Sequence, residues 1–310
     1  MRVVIWGAGG VGGYLGARLA QGGADVAFVA RGAHLAAMRQ GGLRVESPLG
    51  DVHLPEVEAA ADPAALGPAD VVAVTVKGRD LAEAAAGLKP LLKPGTAVIS
   101  FLNGVESTSI LADAVGADHV LGGICYMPLV VAAPGVIRHT GRVNRYVFGE
   151  IGGRRSDRVL AFDAACRAGG LDAVLSDDIE RDLWLKFIML APFGAMTCLT
   201  RVPLGVFLAD PAARAQYQAG MEEVAAVGRA LGVRLPDDAV ARNMDFSLHR
   251  ADPSTKSSML EDLERGRPLE LDSLAGSVVR LGQRAGVPVP FHQMAVAVLG
   301  VHRDGAPQSR

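Results

Sequence analysis

The chain has 310 residues, of which 50% are hydrophobic and 21% are charged, and its formal net charge is −2. This length predicts two domains with large buried cores. The near balance of 31 basic and 33 acidic residues argues against a nucleic-acid-binding protein and against a surface held to anionic lipid by charge. We therefore expect small-molecule partners, with neither nucleic acid nor membrane among them.

The sequence also predicts a cytoplasmic protein without a metal. Apolar runs such as 71–76 and 188–193 are far shorter than the roughly 20 residues that cross a bilayer. The N-terminus passes straight into a strand pattern, without the regions of a signal peptide. The cysteines Cys125, Cys166 and Cys198 are odd in number and far apart, which predicts buried thiols. The seven histidines show neither HxxH nor HExxH spacing, so we expect no metal site.

The first part of the chain alternates strand-like and helix-like segments. Residues 2–6 form an apolar run, a helical pattern follows, and a second strand-like run covers residues 25–31, which together make a βαβ unit. Further strands are predicted at 71–76, 97–101, 119–126, 135–139, 146–149 and 172–175, and further helices at 81–92, 107–114 and 158–168. The alternation predicts an α/β domain over residues 1–176, with a doubly wound, mostly parallel sheet.

The second part of the chain is predicted to be all-α and to cover residues 177–310. Its helices are predicted at 179–199, 212–231, 237–246, 258–265, 272–285 and 291–302. We expect residues 304–310 to be disordered, because they are terminal, polar and contain glycine and proline.

A glycine-rich turn joins the first strand to the first helix. Its residues are Gly7, Ala8, Gly9, Gly10, Val11 and Gly12. They match the G-x-G-x-x-G pattern in the strand, turn and helix context that favours dinucleotide binding. Gly7 permits the tight turn, Gly9 lets the backbone approach a pyrophosphate, and Gly12 allows the helix to pack closely on the strand. The helix N-terminus offers N–H groups to the phosphates. The alternative is a glycine-rich turn without a ligand.

Residue 31 bears on the choice between NAD and NADP. NAD sites usually place Asp or Glu about 20 residues beyond the glycines to bind the ribose 2′-hydroxyl, but Arg31 occupies that region here. A guanidinium suits a 2′-phosphate, because it donates paired, charge-assisted hydrogen bonds. We therefore favour NADP(H). The alternative is a solvated arginine in an NAD-dependent protein.

Lys186 is a candidate for proton transfer. It is one of five lysines and stands in residues 182–190, among the most apolar stretches of the chain. Burial among apolar side chains lowers the pKa of an ammonium, which can then donate a proton to a developing alkoxide near neutral pH. The alternative is a lysine that extends along a half-buried helix to reach water.

Further motifs are spread over nearly the whole chain. They are Val76-Lys77, Asn103-Gly104, Leu183-Trp184-x-Lys186, Ser257-Ser258-Met259-Leu260-x-Asp262 and Gly266-Arg267-Pro268-x-Glu270-Leu271-Asp272. Together with the glycine turn they resemble the ketopantoate reductases, or 2-dehydropantoate 2-reductases. The resemblance implies an N-terminal Rossmann domain and an all-α C-terminal domain of the 6-phosphogluconate-dehydrogenase type. It also implies NADPH as cofactor, a 2-keto acid as substrate, and a homodimer.

The resemblance implies roles for particular residues. Lys186 would be the general acid, and Glu270 would hold this lysine and a substrate hydroxyl. Ser258 would bind the substrate carboxylate, while Lys77 and Asn103 would lie beside the nicotinamide and its ribose. These roles suit the reaction, because hydride delivery to a ketone carbon builds negative charge on the oxygen, which an ammonium stabilises and protonates.

The chain departs from the family pattern around the substrate. Ketopantoate reductases typically have asparagines four and eight residues after the catalytic lysine, where this chain has Leu190 and Gly194, and often another where it has Thr255. Losing these amides weakens discrimination for a hydroxylated substrate. We expect Leu190, Gly194, Thr255 and Lys256 at the substrate site, although Lys256 is equally consistent with a solvated loop residue.

Three functions remain open. The favoured one is NADPH-dependent reduction of 2-dehydropantoate to pantoate, a step toward pantothenate and coenzyme A. The second is the same chemistry by a D-2-hydroxy-acid dehydrogenase acting on another branched or aromatic 2-keto acid. The third is a non-catalytic NADP-binding or sensor protein, for which the loss of Lys186 or Glu270 would be the sequence cue; both residues are present.

Overall fold

The computed structural model describes residues 1–307, and the chain forms two compact units. One unit contains Met1–Leu102 and Ser107–Ile179, and the other contains Asn103–Glu106 and Glu180–Arg310. The sequence placed the boundary at residue 176. No sequence signal predicted that the short segment 103–106 would group with the second unit.

The strands of the first unit form two sheets. In chain order they are β1 (Arg2–Trp6), β2 (Asp25–Val29), β3 (Leu43–Glu46), β4 (Val52–Leu54), β5 (Glu58–Ala60), β6 (Val71–Val74), β7 (Ala97–Ser100), β8 (Val120–Tyr126), β9 (Leu129–Ala133), β10 (Val136–His139), β11 (Arg145–Glu150) and β12 (Asp172–Leu175). The larger sheet has the order β12-β11-β8-β7-β6-β1-β2-β5, and the smaller has the order β4-β3-β10-β9.

The larger sheet confirms the predicted Rossmann architecture. From β5 through β8 every neighbouring pair is parallel, and the order β5-β2-β1-β6-β7-β8 is that of a dinucleotide-binding domain. Strand β11 runs antiparallel to β8 and parallel to β12. Every residue of β6 and β7 is buried, as expected of a parallel sheet covered on both faces.

The smaller sheet was not predicted. The sequence placed residues 135–139 among the closing strands of the first domain, but β10 pairs with β3 and β9 in the separate sheet. Only β11 and β12 extend the larger one. The strands β3, β4 and β5 are three or four residues long, too short for an alternating pattern to distinguish them from loops.

Five α-helices belong to the first unit. They are α1 (Gly10–Gln21), α2 (Gly32–Gly41), α3 (Leu81–Ala86), α4 (Ser107–Val115) and α5 (Asp157–Ala168). Helix α2 was not predicted. The helix predicted over 81–92 ends at Ala86, where Gly87 is the C-cap residue and Pro90 follows shortly after. A 3-10 turn over Lys89–Leu91 follows.

Regular structure after β12 is helical throughout the described part of the chain, as predicted. The helices are α6 (Ile179–Thr200), α7 (Leu204–Ala209), α8 (Pro211–Ala230), α9 (Ala239–His249), α10 (Ser258–Glu264), α11 (Ala275–Ala285) and α12 (Pro290–Leu299). The sequence missed α7, which has only six residues. The prediction that residues 304–310 are disordered is wrong for Ala306, because its N–H donates to the Gly266 carbonyl at 3.0 Å. Residues 308–310 lie outside the described residues.

Helix α6 is the central helix of the second unit. Its side chains Trp184, Phe187 and Ile188 are buried in the core of that unit. Among the described helices it alone has the length and apolar composition that could span a membrane, and 61% of its most apolar window is buried inside the protein. A helix in the core of a protein, mostly buried, has the same length and apolar composition. The sequence prediction considered only uninterrupted apolar runs and therefore did not single out this segment.

The three cysteines are buried and not disulfide-bonded, which confirms the predicted buried thiols. Burial raises the pKa of the Cys198 thiol to about 12, so this side chain is a neutral packing group near pH 7.

A buried ion pair fastens α5 to the end of β11. The guanidinium of Arg158 donates to both carboxylate oxygens of Glu150, at 2.8 and 2.7 Å. Both side chains are largely buried, with exposed fractions of 17% and 6%. Removing one partner of such a pair leaves the other charge buried without compensation.

We predict that Arg158→Ala lowers the free energy of unfolding of the first unit by about 3 kcal/mol. The matched control is Arg145→Ala, which breaks an exposed pair with Asp172 and should cost less than about 1 kcal/mol. The measurement is urea unfolding followed by tryptophan fluorescence in a Trp184→Phe background, which leaves the buried Trp6 as the only tryptophan. Equal effects of the two substitutions would contradict the prediction.

Candidate active site

The glycine turn after β1 is built around close backbone contacts. Gly7 has a φ of +105°, a conformation that favours glycine. A Cβ atom on Gly12 would collide with the Gly7 carbonyl oxygen and the Thr75 hydroxyl. That hydroxyl donates to the Gly7 carbonyl at 2.7 Å and ties the turn to the end of β6. Two glycines of the motif are therefore required by the protein's own packing.

Gly9 differs from these two glycines, because a Cβ atom there would meet nothing within 4 Å. Gly9 is the N-cap residue of α1, and no side chain caps this end of the helix. The first N–H groups of a helix have no partner within the helix. The turn therefore combines an uncapped helix N-terminus with open space at Gly9, and this arrangement fits the pyrophosphate of a dinucleotide.

The smaller sheet supports the start of α1. A Cβ atom on Gly10 would lie 2.9 Å from the carbonyl oxygen of Leu129 in β9, and one on Gly13 would lie 2.7 Å from the side chain of Ile137 in β10. The additional glycines in this sequence thus let α1 approach a second sheet. Pattern matching to G-x-G-x-x-G does not reveal this requirement.

The segments after β2 and β6 flank the glycine turn. Arg31 directly precedes α2, and its guanidinium donates to the two carboxylate oxygens of Glu83, in the first turn of α3, at 2.5 and 3.4 Å. The hydrogen bond between the two side chains is the main cause of a raised pKa for Arg31 and a lowered pKa for Glu83. Lys77 follows β6 and is exposed. The sequence missed Glu83 because no local pattern connects it with Arg31.

In the second unit, Lys186 lies on α6 between the buried side chains of Trp184 and Phe187 along the helix. The lysine is half-buried, and its Nζ donates to the Asn103 side-chain oxygen at 3.0 Å. The segment 103–106 therefore supplies a polar partner to the predicted general acid. The resemblance assigned Asn103 to the cofactor, and that role remains a prediction beside the observed contact.

Leu190 and Gly194 follow Lys186 at one-turn intervals along α6. Leu190 is half-buried and packs against the apolar core of the unit, while Gly194 is buried. A Cβ atom on Gly194 would lie 3.3 Å from the Met259 side chain and 3.4 Å from that of Leu274. A side chain at position 194 would thus face the flexible end of Met259 and the Leu274 side chain, so the surroundings of Gly194 are apolar.

The two adjacent serines have different environments. Ser257 is buried and caps α10, since its hydroxyl accepts from the Leu260 N–H at 3.0 Å. Its oxygen also lies 2.6 Å from the hydroxyl of Thr197 on α6. Ser258 is exposed as the first residue of the helix. The Thr197–Ser257 contact thus anchors to α6 the segment that carries Ser258.

The sequence did not identify Ser257 and Thr197 as supporting residues. A serine just before a helix was a visible capping signal. The contact with Thr197 depends on tertiary structure and carried no sequence signal.

The remaining predicted substrate residues are less closely grouped. Thr255 is exposed, and its carbonyl accepts from the Leu204 N–H at 3.0 Å. Lys256 is exposed and pairs with Glu264 at 2.7 Å, in agreement with the solvated alternative. Glu270 is half-buried, and its carbonyl accepts from the Ser273 hydroxyl. That Glu270 holds the ammonium of Lys186 remains a prediction.

The candidate site thus consists of two sets of residues, each within one unit. The first unit holds the glycine turn, Arg31 and Lys77, and the second holds Lys186 with Asn103 and the serine segment. No group of three or more His, Cys, Asp or Glu side chains that could hold a metal ion occurs within residues 1–307.

Comparison with known families accounts for both units. A family model described as "Ketopantoate reductase PanE/ApbA" matches residues 3–153, and one described as "Ketopantoate reductase PanE/ApbA C terminal" matches residues 178–303. A 2-dehydropantoate 2-reductase of Mesorhizobium japonicum is 36% identical, over 96% of this chain and 97% of its own length.

Solved structures have the same fold. A PanE/ApbA family ketopantoate reductase from Ralstonia eutropha JMP134 superposes with a TM-score of 0.88 at 34% identity, covering 98% of each chain. A D-mandelate dehydrogenase in a ternary structure with NADH and anilino(oxo)acetate also gives a TM-score of 0.88 with 98% coverage of each chain, but at 19% identity. The latter similarity concerns the fold alone.

We predict that Gly9→Ala weakens NADPH binding about tenfold or more while leaving thermal stability unchanged, because the added methyl meets only the space a phosphate would occupy. Gly12→Ala is the contrasting variant. Its methyl collides with the turn itself, which should lower the free energy of unfolding by about 2 kcal/mol. Fluorescence titration with NADPH and calorimetric melting test both. Unchanged NADPH affinity in Gly9→Ala would contradict the assignment of this turn to the pyrophosphate.

Proposed function

The chain belongs to the ketopantoate reductase family, and on that premise we propose that it uses NADPH to reduce the 2-keto acid 2-dehydropantoate to pantoate. The observation that carries the proposal is a hydrogen bond to Asn103 from Lys186, which stands on the central helix of the second unit. This contact orients an ammonium in apolar surroundings, which is what protonation of a developing alkoxide requires.

A nicotinamide cofactor follows from the family, and its NADP(H) form is part of our proposal. When bound, the reduced nicotinamide supplies the hydride that the carbonyl carbon accepts. The glycine turn fits the pyrophosphate through the uncapped N-terminus of α1 and the open space at Gly9. The guanidinium of Arg31 suits the 2′-phosphate, and Lys77 suits a position near the nicotinamide.

Lys186 performs the proton chemistry in this proposal. Its ammonium donates a hydrogen bond to the keto oxygen, stabilises the negative charge that develops there, and transfers a proton to it. Asn103 has a side-chain oxygen that accepts from Nζ, so it holds the ammonium in one orientation without neutralising its charge. Asn103 is thus a positioning residue for the acid.

In this proposal Ser258 and Glu270 hold the other polar groups of the substrate. Ser258 donates its hydroxyl to the substrate carboxylate, while Ser257 caps the helix beneath it. Glu270 favours the charged form of Lys186 and accepts a hydrogen bond from a substrate hydroxyl. Thr255 can add a hydroxyl donor. Lys256 contributes less, because Glu264 pairs with it at the surface.

A second candidate substrate class is supported by α6 itself. Leu190 and Gly194 place no amide on the lysine side of the helix, and Gly194 has little room for a larger side chain beside Met259 and Leu274. A site without these amides favours a branched or aromatic 2-keto acid without a terminal hydroxyl. The reaction would be unchanged, and the protein would be a D-2-hydroxy-acid dehydrogenase.

We also propose a cytoplasmic location and a homodimer, of which the homodimer rests on the family resemblance alone. Light scattering of the purified protein decides the oligomeric state.

We predict that Lys186→Met lowers kcat about a thousandfold while changing the Kd for NADPH less than about twofold, because the ammonium acts on the keto oxygen. The control is Lys89→Met, which changes an exposed lysine of the first unit and should leave both values unchanged. Stopped-flow NADPH oxidation and fluorescence titration provide the two readouts. Parallel loss of turnover and NADPH binding would instead identify Lys186 as a structural residue, and an unmutated protein without turnover on any 2-keto acid would support the sensor alternative.

We predict that the unmutated protein has a higher kcat/KM for 2-dehydropantoate than for 2-ketoisovalerate or phenylpyruvate. Leu190→Asn should raise the preference for 2-dehydropantoate over 2-ketoisovalerate about tenfold, because the new amide can bind the terminal hydroxyl. The control is Leu248→Asn, at an exposed position on α9. Equal or higher kcat/KM for the two other keto acids would favour the second candidate.

A further inference from the structure

We propose that Glu83 is a specificity-determining residue for the cofactor. Its carboxylate competes with the 2′-phosphate for Arg31 and thereby moderates the preference for NADPH over NADH. This inference rests on the proposed function, because it takes Arg31 as the 2′-phosphate ligand. No sequence motif contains Glu83, and its part in the site comes only from its contact with Arg31.

The contact occupies the donors that a phosphate would need. The Nη2 atom of Arg31 lies 2.5 Å from one carboxylate oxygen of Glu83, and the Nη1 atom lies 3.4 Å from the other. The arginine therefore presents both terminal nitrogens to the carboxylate in the paired geometry that also binds phosphate oxygens. A 2′-phosphate can take this place only if the carboxylate moves aside or shares the guanidinium.

The topology explains why these two residues meet. Strand β1 lies between β2 and β6 in the larger sheet, and all three are parallel. Their carboxyl ends therefore lie along one edge, where ligands bind in sheets of this kind. Arg31 follows β2 and Glu83 follows β6, so the ion pair joins the two segments that flank the glycine turn.

Both side chains are accessible to solvent, with exposed fractions of 62% for Arg31 and 63% for Glu83. An ion pair this exposed is weak and easily exchanged. A phosphate carries more negative charge than a carboxylate and therefore displaces it from the guanidinium. The displaced carboxylate remains tethered nearby on α3, and Asp80 adds a second negative charge that acts on Arg31. Both charges oppose the 2′-phosphate.

The same carboxylate suits a cofactor without that phosphate. In NAD sites an acidic side chain accepts a hydrogen bond from the ribose 2′-hydroxyl, although it usually comes from the end of the second strand. Here an arginine, Arg31, follows the second strand, and the acidic side chain is Glu83 on α3. Arg31 and Glu83 would thus favour NADPH and NADH respectively, and the protein would use both cofactors with a moderate preference for NADPH.

The test compares NADPH and NADH binding by fluorescence titration in four proteins: the unmutated chain, Glu83→Gln, Arg31→Gln and the control Glu46→Gln. Glu46 forms an ion pair with Arg138 in the smaller sheet of the same unit, and both side chains are about half exposed, so this control removes the same charge away from the glycine turn. Thermal melting confirms that each variant is folded.

We expect Glu83→Gln to lower the Kd for NADPH about fivefold and to leave the Kd for NADH equal or higher, while Glu46→Gln changes neither. We expect Arg31→Gln to raise the Kd for NADPH at least about tenfold. If Arg31→Gln weakens NADPH binding but Glu83→Gln matches the control, the inference about Glu83 is wrong and the proposed NADP site stands. If Arg31→Gln leaves NADPH binding unchanged, the proposed NADP site is itself wrong.

Discussion

The structure depends on a steric constraint at the end of β1, where strand, turn and helix come too close together for side chains. At Gly12 a Cβ atom would collide with the Gly7 carbonyl and with Thr75, which itself fastens the turn to β6. The close packing at Gly12 brings α1 against the turn, and the N-cap residue of this helix, Gly9, has no side chain that could cap it. The parallel pairing of β1 with β2 and β6 brings the segments after those two strands to either side of the turn, where Arg31 and Glu83 meet. The proposed pyrophosphate site and the residues proposed to set cofactor preference are thus neighbours at this edge of the sheet.

In the second unit the main constraint is that an ammonium stands on an apolar helix. Burying most of α6 provides the core of that unit, and an unpaired buried charge on it would be costly. Lys186 is only half-buried, and Asn103 gives its Nζ a neutral acceptor. A neutral partner orients the ammonium without neutralising its charge, which suits the proton donor proposed for this protein. Structural and chemical requirements are met by the same contact.

The proposed substrate residues on α6 are next to the core packing of the second unit. Gly194 sits against Met259 and Leu274, so the absence of an amide at this position is coupled to the way α10 and the segment before α11 pack on α6. Thr197, farther along the same helix, bonds to Ser257 and anchors the segment that carries Ser258. Residues that would define the substrate thus rest on neighbours that also hold the helices together. Gly194 is therefore part of the core, whereas Leu190 is only half-buried.

The amino-acid sequence by itself determined the fold class, the glycine turn and the helical nature of the second half, because these depend on local patterns of apolar residues and glycines. Lys186 and Arg31 were also identifiable, since an isolated lysine in an apolar stretch and an arginine after the second strand are visible in the chain. Only the tertiary structure decided their partners: Asn103 for Lys186, Glu83 for Arg31, and Thr197 for Ser257. The same holds for the smaller sheet, whose short strands pair across long sequence separations. Contacts between residues far apart in the chain have no local pattern, and they arise only when the packing of whole elements brings the side chains together.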